Sequence, residues 1–241
     1  MIGPILLAIS WLLLRLEGQG VAAIGLNAPT IRARQLAAGF VVASLVVVLQ
    51  QLGLSTAAGV PWQLNPDADA SLVGQSLRWN INSVLYEELL FRGYLLYQAI
   101  RWLGIRWGVL LSAAAFGVYH WFSYEVIGNP VMMTFVFVFT GAFGLMLAVA
   151  FARTKSIALP IGLHLGWNVV SYLGFSAGPL GRGLLVPGNG ATRMEATGLA
   201  DFLLDMVLPM FFVASVIWYL MHGNPRDGSP DSAAALPPSA A

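Results

Sequence analysis

The sequence predicts an all-α, polytopic integral membrane helix bundle of about seven transmembrane helices, with six to eight compatible with the same pattern. Three observations carry that expectation. The 241 residues are 58% hydrophobic and only 10% charged, against roughly 25% charge in an ordinary soluble domain. Mean hydropathy is +0.75. Apolar runs close to the ~20 residues that cross a bilayer recur along the chain, separated by charge or by Pro and Gly.

The spans fall at about residues 2–16, 35–54, 74–103, 107–124, 130–152, 156–177 and 199–221. The first is interrupted by Arg15 and Glu17 and lacks a basic leader, so it reads as a short or tilted span rather than a signal peptide. The third is long and carries Glu87, Glu88 and Arg92 near its middle. Lys and Arg are retained on the cytoplasmic side, and they alternate between connections. Arg15, Arg32 and Arg34 precede the second span, Arg101 and Arg106 follow the third, and Arg153 and Lys155 follow the fifth. The last long loop, with Arg182 and Arg193, breaks the alternation. The expectation is an N-terminus outside, a C-terminus inside and residence in the plasma membrane of a prokaryote. Residues 1–222 read as one membrane domain, and 223–241, rich in Pro, Ser, Ala and Asp, as a disordered cytoplasmic tail.

Composition excludes several chemistries. With no cysteine, disulfides, thiolate metal sites and catalytic thiols are absent. A net charge of +1 gives no basic stripe for nucleic acid. Neither GxSxG nor HExxH occurs. The oligomeric state is not encoded in any pattern.

Ionisable side chains at the bilayer centre cost about 2.5–3.5 kcal/mol on insertion scales, so those present need a partner, a wet cavity or a role. Five stand out: Glu87, Glu88 and Arg92 on the third span, His120 on the fourth and His164 on the sixth, with Asn168 one turn beyond. Glu88 and Arg92, four apart, share a helix face and can neutralise each other. Glu87 points ~100° away, toward a strip with Ser83 and Asn80. Counting ~1.5 Å per residue from the cytoplasmic ends puts Glu87, His120, His164 and Asn168 at depths of about 14–22 Å, so three helices can bring them to one pocket. A carboxylate, two imidazoles and a carboxamide can activate water and stabilise an oxyanion. Phe116 reads as packing beside His120, and Tyr86, Tyr94, Trp121 and Trp167 as core or interfacial belt. His222 reads as a surface residue.

Three segments carry a family resemblance. YEELLFR, with Glu87, Glu88 and Arg92, resembles the Glu-Glu-x-x-x-Arg motif of the CPBP (CAAX protease and bacteriocin-processing, or Abi) intramembrane proteases. FGVYH, with Phe116 and His120, is similar to the Phe-x-x-x-His motif, and HLGWN, with His164 and Asn168, to the His-x-x-x-Asn motif. They occur in order on separate apolar segments within about residues 71–177. The resemblance implies an intramembrane endopeptidase acting on a peptide or membrane-protein substrate. It assigns Glu87 and His120 to water activation, His164 and Asn168 to the rest of the site, and Glu88 and Arg92 to support. Two routes fit the residues: one without a cofactor, and one with Zn²⁺ or another divalent metal on Glu87, His120 and His164. Asn168, a poor metal ligand and a good neutral donor, favours the first. The rival functions are a proton-coupled transporter and a non-catalytic binding or immunity protein built on the same cavity.

Overall fold

The computed structural model describes residues 2–223; the proposed tail, from residue 224 onward, lies outside the described residues. The chain forms α1 (Gly3–Leu16), α2 (Pro29–Ala58), α3 (Ala70–Arg92), α4 (Tyr94–Ser123), α5 (Pro130–Thr154), α6 (Ala158–Asn168), α7 (Gly198–Phe202) and α8 (Leu208–His222). Single π-helical turns extend α6 over Val169–Gly174 and join α7 to α8 over Leu203–Val207. One small antiparallel pair, β1 (Trp62–Leu64) with β2 (Leu185–Pro187), departs from the all-α expectation and ties the α2–α3 connection to the α6–α7 connection.

Among the described residues four helical stretches are long and apolar enough to cross a membrane: Val21–Ala58, Ala70–Ser123, Pro130–Thr154 and Gly198–His222. The second is two passes, because Ser112 Oγ donates to the Phe91 carbonyl at 3.1 Å and the rings of Tyr86 and Tyr119 meet at 6.1 Å, which sets α4 antiparallel to α3. Helices α1 (14 residues) and α6 (11 residues) occupy expected spans but fall short of bilayer length. The count of about seven spans is therefore not reproduced by length and hydropathy.

The expected third span, 74–103, is broken. Helix α3 stops at Arg92, Gly93 leaves helical geometry with φ −78° and ψ −130°, and a Cβ there would sit 2.2 Å from the Leu89 carbonyl oxygen. A second break comes at Gly104 (φ 77°, ψ 166°). The piece between them is held to the end of α1 by Glu17, which accepts from Tyr94 and Gln98 and pairs with Arg101 at 2.7 Å. A depth for Glu87 counted along one straight helix to Leu103 therefore does not hold.

Helices α2 and α6 pack closely. Small residues let helix backbones approach closely in a membrane. A Cβ on Gly162 would lie 2.2 Å from the Leu36 carbonyl oxygen, and one on Gly166 would lie 2.3 Å from that of Phe40. His164 and Asn168 are on this helix, so the seam fixes their position. Gly162→Ala is expected to force α6 away from α2 and to cost about 1–3 kcal/mol as overpacking. Thermal unfolding in detergent should show a lowered midpoint; an unchanged one would mean that the seam is not tight.

Candidate active site

The site is assembled where α3, α4, α5 and α6 meet. Arg92 and Glu88 are fully buried. They stack one turn apart on α3, and Arg92 Nη1 donates to Glu88 Oε1 at 3.3 Å. Arg92 Nη2 donates to the Gly144 carbonyl of α5 at 3.0 Å, and the guanidinium lies over the Phe116 ring at 4.2 Å. The same Glu88 oxygen meets His164 Nδ1 at 2.8 Å. Carboxylate oxygens accept, so Nδ1 carries the proton and His164 Nε2 is left facing Glu87, 3.9 Å from Oε2. The i,i+4 pair expected from spacing is therefore part of a three-residue chain between two helices, Arg92–Glu88–His164, that the spacing did not reveal.

His120 is held in a similar way. Its Nδ1 lies 2.8 Å from the Phe116 carbonyl one turn earlier. A carbonyl only accepts, so Nδ1 is again the protonated nitrogen and the Nε2 lone pair is free. The Phe116 ring packs on His120 at 4.4 Å, so Phe116 shapes the site from the Arg92 side and the His120 side together. Ser83 Oγ donates to Glu87 Oε1 at 3.5 Å.

Glu87, His120, His164 and Asn168 all line one cavity of about 910 Å³. Each is at least nine-tenths buried. Their neighbours include residues that sequence reasoning passed over. Tyr119, Tyr124 and Tyr172 bring hydroxyl-bearing rings to the cavity, and Trp167, expected as core or belt, lines it too. At the far end Gln50 donates to Asp205 Oδ1 at 3.1 Å, and Arg193 pairs with Asp205 at 3.2 Å and Glu195 at 3.3 Å. Asp205 sits within the expected span 199–221, and that charge in an apolar run was a readable signal. Of the other aromatics, Trp121 Nε1 donates to the Met133 carbonyl at 2.8 Å and Tyr94 is bound to Glu17. His222 is exposed.

Among the described residues no three His, Cys, Asp or Glu side chains come together as a metal-holding group. A metalloprotease assignment is unsupported.

The two carboxylates have separate environments and should respond differently to neutralisation. Glu88→Gln removes the carboxylate that buried Arg92 is bonded to, a loss of about 3–5 kcal/mol, and is expected to reduce the yield of folded protein sharply. Glu87→Gln, facing the cavity, should leave the thermal midpoint near that of the parent. Equal midpoints for the two variants would remove the supporting role assigned to the Glu88–Arg92 pair.

Residues 69–170 match the family model described as type II CAAX prenyl endopeptidase Rce1-like. No curated protein matches the chain. No solved structure matches it either. The segment that carries all three motifs is thus similar in sequence to the Rce1-like endopeptidases, the family that the motifs themselves resemble.

Proposed function

We propose that the protein is an intramembrane endopeptidase that hydrolyses peptide bonds with a water activated by Glu87 and the two histidines. The observation that carries this reading is the placement of Glu87 against His164 inside a cavity that also takes in His120 and Asn168. A general base must lie within hydrogen-bond or one-water reach of the proton that it takes. The 3.9 Å between Glu87 and His164 Nε2 leaves a water able to contact both.

In the proposed reaction, water sits against Glu87 and donates its second hydrogen to the free Nε2 of His120. Glu87 takes a proton as the water oxygen bonds to the peptide carbonyl carbon. The resulting oxyanion accepts hydrogen bonds from the Asn168 amide and from His164. His164 can donate from Nε2 only as the imidazolium, since its Nδ1 hydrogen is already given to Glu88. Glu87 then returns its proton to the leaving nitrogen, the C–N bond breaks, and the products are a carboxyl terminus and an amine. Glu88, paired with Arg92, holds the orientation of the His164 ring through Nδ1, and neither touches substrate.

Peptide-library cleavage by purified protein in detergent separates this reading from a transporter or a non-catalytic binding protein. Glu87→Gln is expected to lower the rate by at least the ~10²–10⁴-fold that general base catalysis contributes. A variant as active as the parent would eliminate Glu87 as the base. Activity is further expected to survive prolonged chelation, checked by elemental analysis of the active protein. Stoichiometric metal, with activity lost on its removal and restored on its return, would replace the scheme by a metal-dependent one.

A further inference from the structure

The two ends of the bundle differ in charge, and the cavity belongs to one of them. At one end Arg32 Nη1 donates to the Thr154 carbonyl at 3.1 Å, Ile157 N donates to the Ile24 carbonyl at 3.2 Å, and Arg101 pairs with Glu17. These contacts gather the end of α1, the start of α2, the Gly104 bend and the α5–α6 turn. Seven of the twelve Lys and Arg residues are there: Arg15, Arg32, Arg34, Arg101, Arg106, Arg153 and Lys155. Glu17 is the sole acidic residue among the described residues of that end.

At the opposite end the α2–α3, α4–α5 and α6–α7 connections hold Asp67, Asp69, Glu125 and Glu195, with Asp201 in α7 and Asp205 in the π-helical turn that follows it. Arg78, Arg182 and Arg193 are the basic residues there. Retention of Lys and Arg on the cytoplasmic side makes the seven-residue end cytoplasmic and the acidic end external. The cavity reaches the surface through Ser123, Tyr124, Pro179, Gly181, Thr192 and Arg193, all exposed and all at the acidic end. His120 is one turn from the end of α4 on that side, whereas Arg92, on the cytoplasmic side of Glu87, is sealed at zero exposure.

We infer that the cavity opens on the non-cytoplasmic face of the membrane, so that the substrate is a translocated polypeptide or the external juxtamembrane part of a membrane protein. A CAAX prenyl substrate, the class that the family description names, would meet the closed end if presented from the cytoplasm. The substrate class rests on the endopeptidase reading, whereas the sidedness does not.

The absence of cysteine gives a clean background for the test. Ser123→Cys and Thr192→Cys place single thiols at the cavity mouth, and Arg34→Cys and Arg153→Cys place them at the basic end; all four positions are exposed. Right-side-out membrane vesicles carrying the full-length variants are treated with a membrane-impermeant maleimide before and after permeabilisation. The mouth pair is expected to label fully in sealed vesicles, and the basic pair only after permeabilisation. A mouth pair protected in sealed vesicles, or a basic pair labelled in them, would overturn the inference. Labelling does not depend on catalysis, and cleavage in detergent does not depend on sidedness, so each reading fails or stands on its own measurement.

Discussion

The structure depends on a guanidinium buried in a membrane bundle. Arg92 has no exposure, and an uncompensated charge there would not be tolerated. Its solution recruits three other helices: Glu88 from its own helix and through it His164 of α6, the Gly144 carbonyl of α5, and the Phe116 face of α4. Gly144 is part of that solution, because a Cβ there would come within 2.9 Å of Phe116 and 3.1 Å of Arg92 Nη2. Satisfying one charge therefore fixes the relative positions of the helices that carry Glu87, His120 and His164.

Charge counting gives the cluster a further property. Arg92 contributes one positive charge and Glu87 and Glu88 two negative ones, so the group balances only when it holds one additional proton. That proton can reside on His164 or on Glu87. Glu87 Oε2, Glu88 Oε2 and Arg92 Nε lack a hydrogen-bond partner among the described residues, which leaves capacity for water on the Glu87 side. A site that must hold one proton and can place it on either of two neighbouring groups is suited to accepting one from water and giving it to an amine.

Much of this was legible in the sequence where local geometry decides it. The i,i+4 spacing of Glu88 and Arg92, of Phe116 and His120, and of His164 and Asn168 fixes shared helix faces whatever the tertiary structure. The His164–Glu88 bond was not legible, because it depends on how close α6 comes to α3, and that is set by a glycine seam against a third helix. The break at Gly93 was hidden for a different reason. A lone glycine in an apolar helical pattern costs only ~1 kcal/mol, so it does not by itself announce a stop, and the apolar residues after it continue the pattern. Gln50 and Asp205, hydrogen-bonded across the far end of the cavity, were visible as polar residues in apolar runs, but nothing in the spacing paired residues 155 apart.

Hydrolysis inside a bilayer poses two opposed requirements, since an ion pair is strongest when dry and the reaction consumes water. The chain meets both with adjacent residues. Glu87 and Glu88 differ by ~100° of helix rotation, enough to aim one into a cavity with a solvent mouth and the other into the sealed Arg92 pocket. His164 spans the boundary, with Nδ1 on the dry carboxylate and Nε2 toward the wet one. The bundle follows the same division, with the buried pair toward the basic end and the cavity mouth at the other. Exchanging the two glutamates for any pair on a single helix face would lose that separation, and this gives the consecutive Glu-Glu a physical reason to be consecutive.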